Sequence, residues 1–231
     1  MERRLTRIPL VSALALCGTL VALTACSSYT TTTATQGKTS PISGVVADTN
    51  NDRVAIIGDS IEAGLGLSKD QAWPELVAAD EQWNLDNLGV SGAGYVAHGT
   101  GEKTFADEVR DAIADKAQVV FIGASDNDLG KNLADVTQQM QADVALLHSS
   151  LPDAEIIGYN AISGSASDSE LAPLNAALEK IVEAHGGYWL DVGEPYRGVS
   201  GLVQKDGEHP TAAGQQAIAA LVEDALSTNE K

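Results

Sequence analysis

Short apolar runs, separated by longer stretches with a helical repeat, constrain this chain more than any other feature. Runs rich in Val, Ile and Leu occur at 53–58, 83–88, 117–123, 154–159 and 187–191. Apolar residues recur at helical spacing over 61–66, 72–79, 105–114, 129–149, 170–185 and 212–226. Runs with little polar alternation suit strands buried on both faces, as in a parallel sheet. Alternating strands and helices then imply right-handed crossovers that cover both faces of the sheet. The expectation is an α/β fold, a three-layer α/β/α sandwich on a mainly parallel five-stranded sheet, spanning residues 52–228.

In such a sheet, ligands sit outside the carboxyl ends of the strands. The residues with chemistry to offer fall there. Ser60 follows the first run, Ser91-Gly92 the second, Asn127 the third and segment 161–169 the fourth, while 206–210 leads into the last helix. Gly58-Asp59-Ser60 presents a serine in a turn, where it is available as a nucleophile but inert without a base. Asp206-Gly207-Glu208-His209-Pro210 offers that base in His209, with a carboxylate three residues earlier to hold the imidazole tautomer. Glu208 is the nearest rival to Asp206, and in so tight a turn its side chain is expected to point elsewhere. Ser60 also suits the start of the helix expected at 61–66, where the dipole would favour a developing negative charge.

The other histidines fit worse. His148 lies within a helical stretch, His185 ends one, and His98 in the 92–101 loop has no carboxylate at a matching spacing. Asp59 is expected to be structural, bonded to neighbouring backbone. Asp126 and Asp128 read as solvated loop acids. Tyr95 and Tyr196 fall in loops that could border the crevice, though ordinary surface positions suit them better.

Four blocks in this order resemble the GDSL or SGNH hydrolases: Gly58-Asp59-Ser60, Asn87-Leu88-Gly89-Val90-Ser91-Gly92, Ala124-Ser125-Asp126-Asn127-Asp128, and the D-x-x-H-P block at 206–210. The resemblance runs from Arg53 to Leu226. It implies an SGNH-hydrolase, flavodoxin-like fold and a catalytic triad of Ser60, His209 and Asp206, the last chosen over Glu208 on this ground. It also implies an oxyanion hole built from the backbone N–H of Ser60, the backbone N–H of Gly92 and the side-chain amide of Asn127. The asparagine block departs from the common pattern. Gly123-Ala124-Ser125-Asp126 puts serine where the family carries asparagine, and a shift of two residues restores Asn127.

The N-terminus reads as an export signal over residues 1–25. Arg3, Arg4 and Arg7 precede an apolar stretch, and Leu23-Thr24-Ala25-Cys26 matches a bacterial lipobox. Cys26 is then the lipidation site, carrying acyl chains such as palmitate, and the Thr/Ser-rich segment 26–51 is a flexible tether. With Cys17 removed, Cys26 would be the only cysteine and no internal disulfide could form. Net charge is −18, and −20 once the signal is removed. So acidic a chain offers no Lys/Arg cluster for nucleic acid or anionic headgroups, so the membrane would be reached through lipid on Cys26.

No glycine-rich phosphate loop and no paired His/Cys zinc spacing occurs, so neither cofactor nor metal is expected. The function expected is an extracytoplasmic, lipid-anchored serine esterase acting on acyl esters, either small molecules or glycans. Short-chain or carbohydrate O-acyl groups are favoured because no long insertion could form a lid. Two alternatives stand beside it: a surface-binding module on the same fold, and an acyltransferase using the same acyl-enzyme.

Overall fold

The structure, a computed structural model, describes residues 52–227. The signal, Cys26 and the tether all lie outside the described residues. Five strands form one sheet: β1 (Arg53–Ile57), β2 (Asn84–Asn87), β3 (Val119–Gly123), β4 (Glu155–Tyr159) and β5 (Tyr188–Leu190). Their order is β2-β1-β3-β4-β5, and every pairing is parallel. The helices are α1 (Trp73–Asp80), α2 (Phe105–Ala114), α3 (Leu133–Ser150), α4 (Asp168–Ala184) and α5 (Ala212–Ser227).

Side chains along each central strand alternate between two cores because successive Cβ atoms point to opposite faces. Ala55, Ile57, Val120 and Ile122 face a core with α2, α3 and α4. Val54, Ile56, Val119 and Phe121 face a second core with α1 and α5. This is the three-layer sandwich expected. Local chemistry sets several helix starts. Thr104 with Asp107 and Ser167 with Glu170 form capping boxes for α2 and α4, and the Asn132 side chain accepts from the Ala134 N–H at the start of α3.

Two expectations require correction. Segment 61–66 is a hydrogen-bonded turn, not a helix. Ala63 N–H donates to Asp59 O and Leu65 N–H to Ser60 O, but six residues are too few to offset the cost of helix nucleation. The helix-dipole argument for Ser60 therefore lapses. β2 and β5 are not buried on both faces, since they form the two edges of the sheet and most of their residues are half-exposed.

Order β2-β1-β3 reverses direction at β1, which opens a crevice beyond the carboxyl ends of β1 and β3. The loop before α5 folds over toward it. Gln204 N–H donates to His209 O at 2.7 Å, and Val203 and Pro210 form an antiparallel bridge.

Candidate active site

Ser60 and His209 are 149 residues apart in sequence, yet Ser60 Oγ lies 3.0 Å from His209 Nε2. On the other side of the ring, His209 Nδ1 lies 2.8 Å from Asp206 Oδ2. Asp206 Oδ1 accepts the backbone N–H of Glu208 at 3.0 Å and of His209 at 3.1 Å. Those donors, Glu208 N–H first and the His209 ring next, hold the Asp206 carboxyl down to about 2. An ionised carboxylate can only accept, so Nδ1 carries the ring proton and donates it to Asp206. Nε2 is thereby left with its lone pair toward the Ser60 hydroxyl.

The turn beneath Ser60 is held by buried acids. Asp59 Oδ1 accepts from Ile61 N–H at 3.0 Å, the local backbone bond expected of it. Glu62 Oε2 accepts from Asp59 N–H at 2.9 Å, and Glu62 Oε1 accepts from the Trp73 indole N–H at 3.1 Å. Glu108 Oε2 accepts from Gly58 N–H at 3.0 Å. Burial, followed by the neighbouring Glu62, pushes Asp59 up to about 7, and burial pushes Glu108 up to about 10. Glu62 and Glu108 escaped the sequence reading. Glu108 nonetheless shares the α2 face of Phe105, Val109 and Ala112, so its burial was legible from helical spacing.

Gly92 sits at φ +82°, a left-handed conformation that a side chain would strain. Among the described residues, no acceptor takes the backbone N–H of Ser60 or of Gly92. The two backbone donors that the sequence predicted are thus uncommitted. In the asparagine block, Ser125 is buried with its Oγ 2.6 Å from Asp59 Oδ2. Asn127 is partly exposed, and its Nδ2 lies 3.0 Å from Ser125 Oγ, 3.1 Å from Ala93 O and 3.2 Å from Asp59 Oδ2. Serine occupies the inner place of the block and asparagine the outer one, both bonded to the acid that precedes Ser60.

Other expectations fail on burial. Asp128 is not solvated: it is 2% exposed, and its carboxylate accepts the N–H groups of Tyr95, Val96 and Ala97 at 2.7–3.1 Å. It pins the loop that follows Gly92. Asp126 is not freely solvated either, since burial and the nearby Asp59 push it up to about 7. Tyr95 and Tyr196 are buried, donating their hydroxyls to Gly123 O and Glu208 O. His98 does meet a carboxylate, Glu102, at 3.5 Å, but both side chains are well exposed. The Glu208 side chain does point away from the imidazole, as expected, and is bound by the loop after β4.

Solved structures share this architecture. A structure titled TesA is 21% identical, with a TM-score of 0.63 over 77% of this chain and 99% of that one. The psychrotrophic esterase EstA from Pseudoalteromonas sp. is 19% identical, with a TM-score of 0.61 over 77% and 98%. A family two carbohydrate esterase from Clostridium thermocellum is 15% identical, with a TM-score of 0.64 over 77% of this chain and 63% of that one. At these identities the likeness establishes the fold. No curated protein matches the chain. The GDSL-like lipase/acylhydrolase family model matches residues 56–217, nearly the whole described domain. The chain belongs to the GDSL-like lipase/acylhydrolase family and is, with it, a carboxylic ester hydrolase.

Proposed function

We propose that the protein is a serine esterase, exported and lipid-anchored through Cys26, which cleaves short-chain or carbohydrate O-acyl esters. The observation that carries the catalytic part is the continuous contact from Asp206 through His209 to Ser60, at 2.8 and 3.0 Å. In this reading Ser60 Oγ attacks the ester carbonyl carbon while His209 Nε2 takes the hydroxyl proton. Asp206 stabilises the resulting imidazolium without taking the proton itself. The carbonyl oxygen becomes an oxyanion that accepts from the Ser60 and Gly92 N–H groups and from the Asn127 amide. As the tetrahedral intermediate collapses, His209 protonates the departing alcohol, leaving an acyl-Ser60. Water, activated by His209, then releases the acid.

Charge near the base supports a neutral ester. Glu208, whose carboxyl is held below the usual range, lies in the loop of His209, and the nearby Arg197 is committed to Glu194 and Asp168 at 2.5 Å each. An anionic headgroup would find no partner in Arg197. That carbohydrate esterases share the fold is consistent with a sugar ester. Export and lipidation rest on the basic start, the apolar stretch and the lipobox ending at Cys26.

The test is turnover of p-nitrophenyl acetate, butyrate and octanoate by the detergent-solubilised full chain, beside Ser60→Ala. Activity by the parent that falls at least about 1000-fold in the variant supports the serine esterase. Equal turnover by both excludes it. For the anchor, Cys26→Ser is expected to move the protein from the membrane fraction to the soluble fraction and to abolish palmitate labelling. Unchanged fractionation would refute lipidation at Cys26.

A further inference from the structure

Glu208 lies between the two loop residues of the proposed relay, and every polar group it has is engaged. Its Oε1 accepts from the Ser163 hydroxyl at 3.0 Å and from Gly164 N–H at 2.9 Å, and its Oε2 accepts from the Ser165 hydroxyl. Its carbonyl accepts from the buried Tyr196 hydroxyl at 2.9 Å, while its N–H donates to Asp206 Oδ1 at 3.0 Å. The two loops touch at their backbones. A Cβ on Gly164 would stand 2.2 Å from Glu208 O, so no other residue fits there without moving the base loop.

The clasping loop is itself braced. Ser163 is fully buried, donates its N–H to Glu194 Oε2 at 3.2 Å, and accepts Arg197 Nε on its carbonyl at 3.1 Å. Asp126, beside Asn127, faces the same two side chains, Ser163 and Glu208. The ionisable groups facing Glu208 are therefore Asp126, Asp59 and Tyr196, with Asp206 and His209 on its own loop. Burial works to raise Glu208, but the donors from Ser165, Gly164, Asp126 and Ser163 outweigh it and keep the carboxylate ionised. A half-buried carboxylate that gathers this many donors is fixed in place. A loop carboxylate with no task would remain in water.

We propose that Glu208 is a positioning residue for the general base: the 163–165 loop clasps its carboxylate, which fixes the peptide that donates to Asp206 and seats His209 Nε2 on the Ser60 hydroxyl. This rests on the triad reading above. Because the polar atoms of Glu208 are all taken by the two loops, losing it is expected to displace the base without weakening binding. Misplacement of a reacting group by about 1 Å can cost on the order of 100-fold in rate.

The experiment compares kcat and KM for p-nitrophenyl butyrate on the pH plateau, using the full chain and the variants Glu208→Ala, Glu208→Gln, Ser165→Ala and Ser60→Ala. Glu208→Ala is expected to lose about 100-fold in kcat with KM within about twofold. Glu208→Gln is expected to recover most of that loss. Its amide oxygen can accept from Ser163 and Gly164, and its amide NH₂ can donate to the Ser165 hydroxyl. Ser165 is exposed, so Ser165→Ala will fold and is expected to lose several-fold in kcat alone. A folded Glu208→Ala with parental kcat overturns the proposal, as does equal impairment of the Ala and Gln variants, which would point to charge instead of the clasp. Should Glu208→Ala fail to fold, parental kcat in Ser165→Ala overturns it. Full activity in Ser60→Ala would instead remove the triad reading. An inactive Ser60→Ala beside a fully active Glu208→Ala would remove this inference alone.

Discussion

Glu62 and Trp73 meet in the second core, where the buried carboxylate accepts the indole N–H at 3.1 Å and, through its other oxygen, the Asp59 N–H at 2.9 Å. One side chain thereby ties the turn that carries Ser60 to the first residue of α1. Glu62→Ala leaves two buried donors without an acceptor, each costing roughly 1–3 kcal/mol. The expected loss is about 3 kcal/mol, or a Tm lower by about 6–12 °C for a domain of this size. Calorimetry of the variant checks it, and a Tm within about 2 °C of the parent would show that the strut contributes nothing.

Asp206→Asn separates tautomer control from the base itself. An amide in that place can donate to Nδ1 and so permits the ring proton to sit on Nε2, the wrong side for accepting from Ser60. The expected fall in kcat is about 10³–10⁴-fold with the fold intact. Because Asp206 is held down to about 2, it remains ionised across the working range. Its protonation therefore contributes nothing to a fall in activity above about pH 4. The pH profile of kcat/KM reads this directly.

Asn127 and Ser125 compete for the asparagine place and can be told apart. If the outer amide serves the oxyanion, Asn127→Ala lowers kcat by about 100-fold or more with little change in KM. Ser125→Ala removes the hydroxyl that donates to Asp59 at 2.6 Å, so its cost is expected in stability, about 1–2 kcal/mol. The opposite pattern, with kcat falling in Ser125→Ala and not in Asn127→Ala, would give the role to the inner residue.

The sequence was readable wherever the deciding interaction was local or periodic. Val54–Ile57 and Val119–Gly123 announced buried parallel strands because both faces are covered, and the helical spacing over 105–114 coincides with α2. Asp206 and His209 are three residues apart in one turn, so their contact follows from spacing. What the sequence concealed was settled by distant backbone. Asp128 looks like any loop acid until the chain brings the N–H groups of 95–97 to it from 31–33 residues away. Tyr95 and Tyr196 likewise read as surface residues, and only the packing of separate loops buries them. The 61–66 turn has an apolar helical spacing, but it is too short to offset helix nucleation, and Leu65 N–H reaches back five residues to Ser60 O instead of four.

Stability should fall as pH rises, the reverse of the trend for a protein held by salt-bridged carboxylates. Burial pushes Glu108 up to about 10, and Asp59, Asp126, Glu155 and Glu194 each up to about 7. A raised carboxyl binds its proton in the folded chain where the unfolded chain has released it. Its stabilising contribution is therefore complete below the unfolded pKa, about 4, and is lost as pH climbs through the folded value. The depressed groups, Asp107, Glu170, Asp206 and Glu208, work oppositely, their contribution being lost only as pH falls below the unfolded values of about 4, outside this window. The Tm is expected to be highest near pH 5 and to drop steadily to pH 9. Glu108→Gln isolates the largest contributor. Glutamine keeps an oxygen for the Gly58 N–H, 3.0 Å away in the parent, and has no proton to lose. Melting curves should nearly coincide for parent and variant at pH 5, with the variant the more stable at pH 9. A parent whose Tm is flat or rising between pH 5 and 9 would mean that these buried acids are ionised in the folded chain at little cost.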